Sequence, residues 1–364
     1  MKKIIKNIFL IFGVISLSII ILTSYHSKNQ FLNLKSNVLV EYNSNNISEL
    51  KIIIVGYEYN DSGIMVACYW ENGQKITLTD GRYRAYAGAI ASSGDDILIA
   101  GYENNESSTM VACYWENGQK ITLTDGQNHA AAHHIAINRN DVYISGYEQY
   151  YFNRNEACYW KNGQKILLTD SRDNNATDIA VSENDIFIIN GLSSSNSAFY
   201  WKNGQKVVLS DTDVLNSCIR SLSLTENDIY FGGYVNLGMR PGLGSIDACY
   251  WKNGNRINLP NVTYYDYSSS IVISGNDVYI LGGKFGQDDN IVWYWKNVEI
   301  ILLENNNKFA RTTDMVIDGN DVYITGFIEN NNDEIVACFW KNGELNFLTD
   351  GRNSSQASAI IVLK

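Results

Sequence analysis

A Tyr-Trp or Phe-Trp pair recurs seven times along this chain, at Trp70, Trp115, Trp160, Trp201, Trp251, Trp295 and Trp340, with spacings of 45, 45, 41, 50, 44 and 45 residues. Self-similarity at this period constrains the fold more than any local motif, because one unit is too small to bury its apolar face alone and must stack on a neighbour. Each unit reads as four short strands. In the third they are a over 134–138 (HIAIN), b over 141–148 (DVYISGYE), c over 157–160 (ACYW) and d over 164–169 (QKILLT). Tyr, Val, Ile and Thr dominate these runs, as expected of strands.

The turns agree with that division. Strand c passes to strand d through Asn72-Gly73, Asn117-Gly118, Asn162-Gly163, Asn203-Gly204, Asn253-Gly254 and Asn342-Gly343. Asn-Gly is the strongest short hairpin signal, because both residues tolerate the positive φ of a type I′ turn. The sixth unit carries Asn297-Val298 instead, where a β-branched residue resists that geometry. Strand a passes to strand b at Asp95-Asp96, Asn140-Asp141, Asn184-Asp185, Asn227-Asp228, Asn276-Asp277 and Asn320-Asp321. These pairs are read as turn formers rather than cation ligands, since Asn and Asp side chains bond their own backbone in turns.

Counting strands predicts an all-β, seven-bladed β-propeller of four-stranded blades. The first unit begins at strand b (KIIIVGY, 51–57), and the chain ends on a lone strand a (ASAIIVL, 357–363). The expectation is therefore a ring over 47–364, closed by the C-terminal strand completing blade one, which removes the exposed sheet edges of an open array. The runs DVYILGG (277–283) and DIYFGGY (228–234), followed by an aromatic pair with a Trp, resemble kelch-type propeller repeats. The ACYWKNGQK units resemble uncharacterised exported bacterial proteins that carry the same repeat. That resemblance implies a propeller and export, and brings no activity with it.

Length variation points to a working face. From each Trp to the first Gly ending the next strand b the distance is 31 residues in all six cases; from that Gly to its own Trp it runs 14, 14, 14, 10, 19, 13 and 14. The variation thus lies between strands b and c, and in a four-stranded meander the b–c loops leave from the same end as the d–a crossovers. Insertions confined to one face of a repeat protein often mark its binding face. That end is rich in Tyr and Arg, the residues that anchor interfaces. The candidate binding residues are Arg82, Tyr83, Arg84, Tyr150, Tyr151, Arg172, Tyr264, Tyr265 and Arg352. Arg82, Arg172 and Arg352 occupy the same position after a Thr-Asp pair, so bracing a turn is the competing explanation. In strand a the position before the large residue holds Ala89, His134, Asp178, Ser221, Ser270, Asp314 and Ala359. The polar members, His134, Asp178, Ser221, Ser270 and Asp314, are expected at the channel mouth on the variable end.

Composition narrows the function classes. The 364 residues carry a formal net charge of -11, which argues against nucleic acid, because phosphate contacts need clustered Lys and Arg. Lys2, Lys3 and Lys6 precede a mostly apolar run from Ile8 to Leu22. Residues 1–30 are read as a signal peptide or an N-terminal membrane anchor, with 31–46 as a linker. This predicts an extracytoplasmic protein, secreted or held at the membrane by that segment alone; without residues 1–30 the net charge is -15. Cys68, Cys113, Cys158, Cys249 and Cys338 share one strand-c position filled elsewhere by Phe199 and Trp293, so they are buried packing thiols rather than disulfide partners. No Gly-x-Ser-x-Gly, His-Glu-x-x-His, P-loop or Cys-x-x-Cys motif is present. The expectation is a monomeric, non-catalytic propeller with no cofactor and no metal, binding a protein or glycan partner. The alternatives are a glycan hydrolase or lyase at the channel mouth and a structural component of the cell envelope.

Overall fold

The computed structural model describes residues 50–150, 154–172, 174–191, 197–209, 214–238, 246–260, 266–284, 291–306 and 308–364. The expectations for residues 1–46 lie outside them. Among the described residues, 28 strands form seven antiparallel four-stranded sheets, the blades of a propeller. Blade two is built of strand a (Ala85–Ser93), b (Asp96–Asn104), c (Met110–Glu116) and d (Gln119–Thr122), and its neighbours repeat that order. In blade one the strand beside Lys51–Tyr59 is Ser355–Leu363, in antiparallel register from Lys51 with Leu363 to Glu58 with Ser355. The d strands are the outer edges; in blade one all four of its residues, Gln74–Thr77, are exposed.

The core is cut into seven clusters, one between each pair of neighbouring blades, and each holds one repeat Trp. Trp115 packs on Ile53, Val55 and Ala67 of the preceding blade. Trp160 packs on Leu98, Ala100 and Ala112, and Trp70 on Tyr323, Ala337 and Leu348 of blade seven. All seven indoles are at most 1% exposed. Burying about 200 Å² of indole is worth about 5 kcal/mol, so these side chains dominate the blade contacts. All six cysteines are free and buried. Burial pushes the Cys113 and Cys158 thiols up to about 12, so the neutral thiol is favoured there.

The expected strands are too short at the inner edge. Strand a of blade three runs Ala130–Asn138, four residues earlier than its sequence pattern suggested. The reason is a β-bulge: the register skips one residue in the inner strand of every blade, at Gly88, His133, Thr177, Arg220, Ser269, Thr313 and Ser358. A bulge breaks the alternation of faces, so the pattern was legible only beyond it.

The bulge also explains the strand-b glycines. A Cβ on Gly101 stands 1.9 Å from the Tyr86 carbonyl oxygen, and on Gly56, Gly146, Gly233 and Gly326 it stands 2.0–2.1 Å from the equivalent oxygen. Register, not first occurrence, therefore identifies the equivalent residue. In blade four Asn190 stands opposite Ala176, one residue before Gly191; in blade five Gly233 stands opposite Ile219, one residue after Gly232. The constant 31-residue spacing thus fails by one at two blades, and the crossovers vary slightly too. At the sixth c–d turn Asn297 keeps its left-handed φ of 58°, while Val298 is absent from the positive-φ residues, so that hairpin departs from type I′. Replacing Gly101 with Ala is expected to cost about 2 kcal/mol or more, read as a lower denaturant midpoint with an unchanged slope.

Candidate functional site

The two ends of the propeller are chemically different. On the a–b and c–d end the turns lock one another. Asn162 Nδ2 donates to Asp141 Oδ1 at 2.7 Å, its Oδ1 accepts the Val142 N–H at 2.8 Å, and Lys161 pairs with Asp141 Oδ2 at 2.7 Å. Asn203–Asp185–Lys202, Asn253–Asp228–Lys252, Asn297–Asp277–Lys296 and Asn342–Asp321–Lys341 repeat the arrangement. Both carboxylate oxygens of each Asp are thus engaged by protein, as expected of turn formers. Among the described residues no group of three His, Cys, Asp or Glu is placed to hold a metal ion.

At the opposite end the b–c loops and d–a crossovers meet. Asn60 Nδ2 donates to the Gly81 carbonyl at 3.1 Å, Asn105 to Gly126 at 3.0 Å and Asn330 to Gly351 at 3.2 Å. The Met110 N–H donates to His129 Nδ1 at 3.0 Å, so His129 ties a crossover to strand c. Arg82, Arg84 and Arg352 are exposed, Tyr83 is half-buried, and Tyr150 ends strand b of blade three at 54% exposure. Arg352 Nε pairs with Asp350 Oδ2 at 3.1 Å, and its N–H donates to Asp350 Oδ1 at 3.1 Å, which is the turn-bracing role. The Arg82 N–H likewise donates to Asp80 Oδ1 at 2.9 Å, while its guanidinium sits 5.2 Å from the Tyr83 ring centroid. Arg172 ends the outer strand Gln164–Arg172 of blade three. Tyr151, Tyr264 and Tyr265 lie outside the described residues.

The channel residues do come together, but deeper than a mouth. His134, Asp178, Ser221, Ser270 and Asp314 share a cavity of about 160 Å³ with Ala359 and the bulge residues Gly88, Thr177, Arg220, Ser269, Thr313 and Ser358. In blade two three residues of strand a, Ala85–Ala87, precede the bulge, so this girdle lies inside the channel. Its members tie blades together. His134 Nδ1 stands 3.0 Å from Asp178 Oδ1, an ion pair between neighbouring blades. Asp178 also accepts the Ile179 N–H at 2.7 Å and, through Oδ2, the Leu222 N–H of the next blade at 2.9 Å. Asp314 Oδ2 accepts the Ile360 N–H of blade one at 3.2 Å. His133 donates to the Ala176 carbonyl at 3.1 Å, and Thr313 to the Ala357 carbonyl at 2.9 Å.

Sequence reasoning found one of the two channel rings and missed the bulge ring beside it. A usable signal lay two residues before the large apolar position, polar in six of seven blades. A tyrosine wall was missed as well. The residues after the strand-b glycine, Tyr57, Tyr102 and Tyr147, line up towards the loop end. Tyr57 stands 5.9 Å from Tyr86, Tyr86 stands 5.8 Å from Tyr102, and Tyr147 stands 5.3 Å from His133. Tyr86 covers the gap left by Gly88, whose Cβ would stand 2.8 Å from that ring.

Burial works against a charged His134, but the Asp178 carboxylate and the more distant Asp314 outweigh it and raise His134 to about 9. Asp178 also resists burial and is held below the usual carboxylate range by His134 and its two backbone donors. Burial raises Asp314, and the backbone N–H groups of Met315 and Ile360 offset this only in part. The histidine contribution to stability is fully present below the unfolded value near 6.5 and is lost as pH rises through about 9; the Asp178 contribution is lost on the acid side. In an NMR titration His134 should therefore stay protonated at neutral pH and release its proton near pH 9. Asp178→Asn should bring that transition below 6.5; an unshifted transition would contradict the pairing.

No family model and no curated protein matches the chain. Among solved structures it is similar to the crystal structure of the computationally designed Ika8 protein, at a TM-score of 0.46 and 16% identity, over 85% of this chain and 95% of that one.

Proposed function

We propose that this propeller is a non-catalytic binding module whose b–c/d–a face takes a protein or glycan partner. The observation that carries the reading is the contrast between the ends. One end repeats the same self-compensated Asn–Asp–Lys turn. The other gathers the unequal b–c loops and the exposed Arg82, Arg84 and Arg352. Exposed Arg and Tyr on a rigid scaffold are the groups that anchor partners. Against catalysis at the channel, both oxygens of Asp178 are engaged within the protein, and His134 enters neutral pH already charged, so neither is poised as a base. Ala substitutions at Arg82, Arg84 and Tyr150 should reduce capture of a cognate partner by tenfold or more while leaving the unfolding transition in place. Undiminished capture by the triple variant would remove this face from the function.

The same reading places the protein outside the cytoplasm behind the segment 1–30, with kelch-like repeats, and assigns ring closure to the last strand. Support for closure is the nine-residue strand Ser355–Leu363 on blade one and the cluster of Trp70, Ala357 and Ile360 with Tyr323 and Ala337 of blade seven. Deleting residues 357–364 should abolish the single cooperative unfolding transition; a truncated chain that still melts cooperatively would contradict closure.

A further inference from the structure

The axial cavity carries a hydroxyl that no described residue uses. Ser221 is 7% exposed, and its Oγ has no hydrogen-bond partner among the described residues. Buried hydroxyls left unmet are few; among the described residues Thr79, Thr124 and Ser145 share the condition, and Ser221 is the one of the four that lines this cavity. Ser270, 8% exposed, occupies the equivalent position on the next blade. The same cavity is lined by Asp314, whose Oδ2 takes the Ile360 N–H, and by His134, whose side chain is 43% exposed and whose Nδ1 stands 3.0 Å from Asp178 Oδ1. Donors and acceptors thus face the same space from four blades.

We infer that this cavity is a binding site for a single neutral sugar ring, held by Ser221, Ser270, Asp314 and His134 beneath the tyrosine wall. A sugar hydroxyl both donates and accepts, so one molecule can donate to the Asp314 carboxylate while accepting from the imidazole and the serines. Charge selects a neutral ligand. His134 faces Asp178 and Asp314 while Arg220 lines the same space, so a cation or an anion meets a like charge on one side. Size selects a small one, since about 160 Å³ is roughly half the lower bound of drug-sized sites. Tyr86, whose ring lies beside the lining residue Gly88, sets an aromatic ring at the loop side of the cavity, with Tyr57 and Tyr102 tilted against it at 5.9 and 5.8 Å, and the C–H face of a pyranose packs on such a ring. The site lies inside the ring of inner strands, separate from the loop face, and stands whether or not that face binds a partner.

Saturation-transfer NMR on the full chain tests this with glucose, galactose, mannose and N-acetylglucosamine, and with inorganic phosphate and glycine as charged comparisons. At least one neutral sugar should give a saturable signal. Ser221→Ala should weaken it about tenfold without moving the melting temperature, because no described residue hydrogen-bonds that hydroxyl. Asp314→Asn should weaken it by tenfold or more, and the Asn carbonyl still accepts the Ile360 N–H. The inference is overturned if no sugar saturates, if Ser221→Ala binds as tightly as the parent, or if phosphate or glycine displaces the sugar.

Discussion

The seven buried indoles between blades are the interaction on which the rest of the molecule depends. Each blade is a small four-stranded sheet with two faces to cover, and neither face is covered from within the blade. A Trp on strand c reaches the preceding blade in every cluster, so each sheet gains its core only from a neighbour. Trp70 of blade one packs in the same way on Tyr323, Ala337 and Leu348 of blade seven. A residue at this place must be large and apolar, and all seven blades keep the same one.

Once the blades are fixed by the indoles, their inner strands are pressed towards one axis, and the bulge is what that crowding produces. The extra residue turns two successive side chains of strand a into the channel instead of one. It also pushes a carbonyl into the space where strand b would otherwise carry a Cβ, which leaves glycine as the residue of choice in most blades. Asn190 in blade four departs from this, and its amide joins Asn174 and the Asn175 N–H in a small buried network. The glycine and the polar channel are thus two consequences of one backbone feature.

The channel girdle combines structural and free polarity. Asp178 and Asp314 tie the backbone of one blade to the next, and His133 and Thr313 do the same through carbonyls. Ser221 has no such duty among the described residues. Its hydroxyl faces the cavity and no described residue bonds it. The outer ends divide in the same way: one is consumed by its own turns, the other presents side chains to solvent.

The period of the Trp pairs, the Asn-Gly turns and the strand count already determined the seven blades, because these signals are local in sequence and repeat. Equivalent cysteines on strand c were readable as packing thiols for the same reason. The ring containing His134, Asp178 and Asp314 was found because one position varied in polarity beside a constant apolar one. Its depth, its bulge partner ring and the tyrosine wall were decided only by the tertiary structure. A bulge breaks the two-residue alternation on which strand reading rests. Proximity across the axis arises from residues about 45 positions apart that meet only when the blades converge, so no window of the sequence contains the site.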